Sequence, residues 1–197
     1  MHAAFVTRAP FRLMAVQRRS VTSLFSNLVT RPTGRAIRTG VESQIAEMEG
    51  PAATPCLSVL DFSQVRVLDY SCADEIVARL LLRFVGDDRP SEAFFVLVGM
   101  QEHHEDAIEA VLERHSLLLV ARDEEGVVKL MGAANPLHRA AWDALVRRGR
   151  AGAAQVADDV GLPREVVDAV MATLVSQRVV TPNADGTVTP LSLLLDE

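Results

Sequence analysis

The densest run of chemically capable side chains is Asp69-Tyr70-Ser71-Cys72-Ala73-Asp74, a hydroxyl and a thiol set between two carboxylates where a strand-like stretch gives way to a helical pattern. At a helix start the first backbone N–H groups lack intrahelical partners and the positive end of the dipole is exposed, so an anion is favoured there. Two uses of these residues stay open. A side-chain oxygen of Asp69 or Ser71 can cap a helix beginning near Ala73. Alternatively Ser71 can carry a phosphate, which adds a charge of about −1.5 to −2 at pH 7 and three acceptor oxygens to an exposed turn. Cys72, at the same helix start, could have a lowered pKa, which keeps a thiol-based or redox-sensing activity in view.

Other clusters offer different chemistry. Arg31, Arg35 and Arg38 line the opening of a helix in which Pro32 blocks continuation from upstream, Thr33 can cap, and Ile37, Val41, Ile45 and Met48 recur at helical spacing up to Gly50-Pro51. These arginines either grip an anion or form a solvated basic face. Arg147, Arg148 and Arg150 make a second basic cluster. His103-His104-Glu105 with His115 has the composition of a metal site, yet adjacent helical side chains point about 100° apart and cannot easily face one ion. A solvated helix start is the simpler reading, and no metal or cofactor is expected. There is no Gly-rich phosphate loop and no Gly-x-Ser-x-Gly elbow.

Positioning these groups requires a fold. Cys56–Phe62 and Ala93–Met100 are apolar runs of strand length, the second with the continuous hydrophobicity of a strand covered on both faces. Between them Ala73, Ile76, Val77, Leu80, Leu81 and Phe84 repeat at three and four, which predicts a helix with Asp74, Glu75, Arg79 and Arg83 facing away from the core. A second helix turns Ile108, Val111 and Leu112 inward, and Leu117–Arg122 and Val127–Met131 flank a turn at Asp123-Glu124-Glu125-Gly126. Strand, helix, strand, helix, strand implies right-handed crossovers and an α/β unit with a mostly parallel sheet.

The stretch Leu60-Asp61-Phe62-Ser63-Gln64-Val65-Arg66-Val67-Leu68-Asp69-Tyr70-Ser71-Cys72-Ala73-Asp74 resembles the core of a STAS domain, the fold of bacterial anti-sigma-factor antagonists. The resemblance covers roughly residues 55–125 and departs from the family where Cys72 stands in place of the common Gly. It implies that Ser71 is the phosphoacceptor for a partner serine kinase, with Asp69 and Cys72 shaping the site.

Downstream, Asn135-Pro136 opens a helix in which Trp142 can anchor packing between modules. The pattern AAQVADDVGLPREVVDAVMATLVSQRVV resembles the helix-turn-helix of winged-helix proteins, with Gly161-Leu162-Pro163 as its turn and strands Val179–Thr181 and Thr187–Thr189 as its wing. This implies a C-terminal α+β winged helix-turn-helix unit. A DNA reader would carry bases and amides on the exposed side of the recognition helix. Arg164, Thr173, Ser176, Gln177 and Arg178 are the candidates, offset by Glu165 and Asp168, so protein docking is the favoured use.

Charge and composition agree with this division. The chain has 197 residues, 49% hydrophobic, and a net charge of −6. Residues 1–50 hold seven arginines against three acids, 51–135 seven bases against fifteen acids, and 136–197 six against eight. That unevenness suggests three parts, which the two resemblances label as a basic N-terminal segment (1–50), a STAS-like domain (51–134) and a winged-helix domain (135–197). Met1–Asn27 contains Arg and Ser but no acid, the composition of a mitochondrial transit peptide; an upstream start codon, with Met14 near the functional beginning, is the alternative. Val21–Val29 is apolar enough for a short strand or helix. Cys56 and Cys72 give no disulfide framework, and no apolar run approaches the roughly 20 residues needed to span a bilayer. The expectation is a non-enzymatic cytoplasmic bacterial regulator acting by phosphorylation-dependent partner switching. Its partner would be a serine kinase or anti-sigma-like regulator, with homodimerisation open and no membrane partner. The alternative is a winged-helix transcription regulator that binds DNA while the STAS-like domain senses.

Overall fold

The computed structural model describes residues 14–21, 26–47 and 55–195. Its framework is a five-stranded sheet in the order β1-β3-β5-β6-β7. It comprises β1 (Ala15–Ser20), β3 (Cys56–Asp61), β5 (Ala93–Met100), β6 (Leu118–Asp123) and β7 (Val128–Gly132). The first four strands are parallel, and β7 returns antiparallel to β6. The fold is therefore α/β with a mostly parallel sheet, as the strand and helix patterns predict. A short parallel ladder joins β2 (Asn27–Leu28) to β4 (Val67–Leu68).

Each added parallel strand lies on the same side of the one before, so right-handed crossovers stack their helices on one face. These are α1 (Arg31–Glu47), the continuous helical run 70–85, and α4 (Glu102–Arg114). The run 70–85 is composed of α2 (Tyr70–Ala73), a π-helical turn (Asp74–Ala78) and α3 (Arg79–Val85). Side chains alternate across the pleat. Phe95, Leu97 and Leu119 point to these helices and pack with Ile76, Leu80, Phe84, Ile108 and Leu112. Val59, Phe94, Val96 and Val120 point the other way.

The opposite face is covered by the C-terminal third of the chain: α5 (Pro136–Arg148), α6 (Ala153–Val160), α7 (Arg164–Ser176), the hairpin β8 (Val180–Pro182) and β9 (Val188–Pro190), and a closing 3-10 turn at Leu191–Leu195. Trp142, Leu145, Val167, Met171 and Leu174 share one buried cluster with Phe94, Val96 and Val120. After α7 the chain turns at Arg178, a non-glycine residue at φ 58. Its guanidinium donates to the Ala93 carbonyl at 2.9 Å, pairs with Glu92 at 2.9 Å, and lies 4.1 Å from the centre of the Phe94 ring. Gln177 completes the seam by accepting the Leu118 N–H at 3.0 Å.

The basic N-terminal segment is integral to this architecture. It supplies the edge strand β1, which pairs with β3 over six residues, and α1. The Pro32 signal marks the start of α1, but the capping hydroxyl is Thr30, whose Oγ1 accepts the Thr33 N–H at 3.3 Å, instead of Thr33. The expectation of a short element over 21–29 is met in part by β2, while residues 22–25 lie outside the described residues. So do Met48, Gly50 and Pro51, and residues 1–13, on which much of the transit-peptide reading falls. Among the described residues no helix is long and apolar enough to cross a membrane.

Because the second sheet face is buried, among the described residues, by α5–α7, the hairpin and the closing 3-10 turn, both halves should melt together. Trp142→Ala removes a fully packed aromatic from this cluster and should cost about 3–5 kcal/mol. Calorimetry should show one transition that moves as a whole to lower temperature; two separately moving transitions would contradict the shared core.

Candidate functional site

Asp69 is the N-cap of the helical run 70–85. Its extended backbone leaves the carboxylate free to accept the Cys72 N–H at 2.7 Å. Ser71 Oγ donates to the same carboxylate, at 2.9 Å to Oδ1 and 3.2 Å to Oδ2. Capping thus falls to Asp69, and Ser71 is left half-buried with its hydroxyl held at the mouth of the helix. Asp69 is anchored in turn, since its N–H donates to the Leu28 carbonyl at the end of the β2–β4 ladder. Val29, Val67 and Tyr70 are exposed large apolar residues next to this turn.

Cys72 points the opposite way. It is fully buried, and its thiol donates to the Thr30 carbonyl at 2.9 Å. Burial pushes the thiol pKa up, against the direction a reactive thiolate requires. Gly34 of α1 lies directly over it, where an added Cβ would stand 3.0 Å from both the Cys72 Cα and the Glu75 Cβ. The two helices can approach this closely only with glycine at that position.

That approach explains the main departure from the sequence reading. Asp74 and Glu75, expected on the solvent side, are 3% and 1% exposed. The predicted polar face is roofed by α1, and what meets the carboxylates is the arginine stripe. Arg31 donates to Asp74 at 2.9 Å and to Glu75 at 3.0 Å. Arg38 reaches Glu75 at 3.4 Å and Arg35 lies 3.8 Å from it. Arg31, Arg35 and Arg38, read from the sequence as either an anion grip or a solvated basic face, are instead paired with two carboxylates of the chain itself. Arg79 adds contacts of 3.2 Å to Asp74 and 3.5 Å to Glu75. Residues five apart on an α-helix sit about 140° apart, whereas the i→i+5 pattern of a π turn stacks them. The Arg79 N–H bonds to the Asp74 carbonyl in that pattern, so the π turn is what lets Arg79 face Asp74.

The last partner comes from α4. His115, at its C-terminal end, donates Nε2–H to Asp74 Oδ1 at 2.8 Å. Burial would raise the Asp74 pKa, but the hydrogen bonds from His115, Arg31 and Arg79 outweigh it and hold it at about 2. Sequence reasoning missed Asp74, Glu75 and His115 as a cluster. The available signal was the Arg31, Arg35, Arg38 stripe bordering the apolar Val41 and Ile45 stripe, a cationic helix edge that would be buried along with its apolar neighbours.

The histidines do not converge. His104 is buried at the N-terminal end of α4, where Nδ1 accepts the Gln101 N–H at 3.3 Å, and burial lowers its pKa. His103 Nε2 lies 2.8 Å from the Arg66 carbonyl, and His115 is at the far end of the helix. Among the described residues no group of three or more His, Cys, Asp or Glu is placed to hold a metal ion.

The second basic cluster is also paired. Arg148 forms a two-pronged bond to Asp159, at 2.5 and 2.6 Å, and Arg150 pairs with Asp185. Arg164 lies 3.6 Å from Asp168, one turn along α7, while Arg147 is exposed. Gln177 and Arg178, candidates for the outer side of α7, are turned inward onto the sheet. The α7 surface left outside carries Arg164, Glu165, Val166, Asp168, Ala169, Ala172 and Ser176, with Thr173 half-buried.

In comparisons with known proteins, no family model matches the chain and no curated protein matches it.

Asp74 supplies a pH test. Its folded pKa, about 2, lies below the ordinary 3.8, so the folded state keeps it ionised at pH values where the unfolded chain protonates it. Its contribution is complete above about pH 4 and is lost as the pH falls towards 2. Asp74→Asn should lower stability by about 2 kcal/mol at pH 7 and flatten the acid limb of the stability profile. Denaturant midpoints of wild type and variant at pH 7, 4 and 2.5 check this; parallel profiles would refute it.

Proposed function

We propose that the chain is a non-enzymatic regulatory protein that switches partners on phosphorylation, with Ser71 of a STAS-like α/β unit as the phosphoacceptor and a winged-helix unit as a second docking module. The observation that carries this reading is the state of the Ser71 hydroxyl. It stands at the N-terminal end of a 16-residue helical run (70–85), half-exposed, and among the described residues it is hydrogen-bonded only to the side chain that caps the helix. A serine kinase acting there would form the Oγ–P bond as the bond from the γ-phosphorus to the β,γ-bridging oxygen of a nucleoside triphosphate breaks, releasing the diphosphate. The hydroxyl proton already points at Asp69, which can accept it.

The surroundings suit docking. Val29, Val67 and Tyr70 rim the turn with exposed apolar surface. A dianion at Ser71 would change the character of that rim at a single point. The STAS-like reading draws further support from the strand-turn-helix order β3, β4, α2 and from helices collected on one sheet face. The winged-helix reading draws support from α6 ending at Gly161 in the left-handed region, α7 following, and the β8–β9 hairpin closing the unit.

A DNA-binding role for this unit is the weaker use. Phosphate contacts need available cations. Arg148, Arg150 and Arg164 are matched to Asp159, Asp185 and Asp168, and the face of α7 left outside is nearly balanced in charge. A protein surface fits that balance better.

Ser71→Ala and Ser71→Asp, each checked for wild-type melting, should retain different partners in a pull-down from cells of the source organism. The expected result is at least one protein whose capture changes about tenfold between the two variants, a difference of about 1.4 kcal/mol. Identical partner sets would overturn the switch, and strong gel shifts with steep salt dependence would move the C-terminal unit to DNA binding.

A further inference from the structure

The buried carboxylates hold more cations than they need, and the surplus one bridges the two residues that follow Ser71 by one helical turn. On a helix the neighbours of residue i are i+3 and i+4. For Ser71 these are Asp74 and Glu75, the two residues that Arg31 bridges. Arg31 does not start from their level. It opens α1 immediately after Thr30, whose carbonyl receives the Cys72 thiol, so its backbone starts beside Cys72 and its side chain reaches along the helix to Asp74 and Glu75. Its side chain is 42% exposed.

Removing Arg31 would strand neither acid. Asp74 keeps Arg79 at 3.2 Å and His115 at 2.8 Å; Glu75 keeps Arg38 at 3.4 Å, Arg79 at 3.5 Å and Arg35 at 3.8 Å. A phosphate on Ser71, by contrast, would be poorly matched without it. The modification removes the hydroxyl hydrogen that Asp69 now accepts and sets a dianion among three carboxylates, Asp69, Asp74 and Glu75.

We propose that Arg31 is the internal receptor for phosphorylated Ser71: its guanidinium leaves Asp74 and Glu75 and takes the phosphate in a bidentate grip. The proposal rests on the reading of Ser71 as a phosphoacceptor and adds how that event is registered by the fold. The phosphate ties the first turn of α1 to the start of the helical run 70–85, so phosphorylation tightens the α1 contact and redraws the basic edge that a partner meets. Bidentate recognition favours arginine over lysine at this position.

The test uses the full chain with phosphoserine installed at position 71 during translation, which needs no kinase, and follows the phosphate by 31P NMR titration. The charged and titratable groups of this cluster are the N-cap Asp69, Asp74, Glu75 and Arg79 on the helical run, Arg31, Arg35 and Arg38 on α1, and His115 at the end of α4. All but Arg31 are common to wild type and Arg31→Gln. Loss of one contacting charge should therefore raise the second phosphate pKa by about 0.7 in Arg31→Gln. Arg31→Lys should fall between the two, and Arg83→Gln, at the far end of the helix, should match wild type. Hydrogen exchange over residues 31–38 should slow on phosphorylation in wild type and not in Arg31→Gln. If Arg31→Gln melts well below wild type, Arg31→Lys carries the comparison. Equal pKa values in all four proteins would overturn the proposal. That result would leave the Ser71 switch standing, because the switch is decided by the pull-down and not by this titration.

Discussion

A parallel sheet wound steadily in one direction covers only one of its own faces. Right-handed crossovers put α1, the helical run 70–85 and α4 together, and the strands, apolar on both sides, would leave Val59, Phe94, Val96 and Val120 in water. Doubly wound folds solve this by reversing direction. Here the sheet does not reverse, and α5 to α7 with their hairpin take the place of the missing helices. The C-terminal unit is thus bound to the α/β unit by a buried apolar face, and Arg178 and Gln177 seal its edge. A third unit that serves as half of the core cannot swing freely on a linker. Any signal it carries must pass through, or be displayed beside, the same rigid sheet.

The opposite layer is governed by a different cost. Two adjacent buried carboxylates are tolerable only with partners in good geometry. The chain supplies them from three elements: Arg31, Arg35 and Arg38 from α1, Arg79 from the start of α3 just past the π turn, and His115 from the end of α4. The pairing constrains the elements as much as it satisfies the acids. α1 must lie close enough for its arginines to reach, which Gly34 permits, and the helical run must widen by a residue, which aligns Arg79 with Asp74. Ser71 sits one turn above this cluster, so its environment is set by electrostatics that also position α1.

The sequence made the framework legible wherever a pattern is local. The strand over Ala93–Met100, the helix behind Asn135-Pro136, the break at Gly161 and the hairpin around Asp185-Gly186 follow from periodicity, caps and turn residues, and each lies where those signals put it. Helical periodicity also found the inward side of the run 70–85. It could not distinguish a polar face turned to solvent from one turned to another polar helix, because both read as charged residues opposite an apolar stripe. Asp74 and Glu75 were misplaced for that reason, and so was the fate of Gln177 and Arg178, whose partners Leu118, Ala93 and Glu92 are far away in the chain. The edge strand β1 was illegible for a related reason: AVQRRS has no apolar run, and it is a strand because β3 offers it a ladder, with the buried Arg19 reaching Ser58 and Gln44.

These two kinds of burial divide the molecule's work. The apolar seam between sheet and C-terminal unit is a cluster of aliphatic side chains with Phe94, Trp142 and Met171, so it is suited to permanence. The α1 seam rests on ion pairs to half-exposed arginines around a small apolar strip of Val41 and Ile45. Surface-facing ion pairs are individually weak and exchange partners at little cost, whereas the carboxylates beneath them cannot go unpaired. A layer built this way holds its carboxylates paired while the identity of their partners remains adjustable. If a charge introduced by modification is to be read by this fold, the α1 face offers redundant cations at hydrogen-bonding range of buried acids, and it packs on the helical run that carries Ser71.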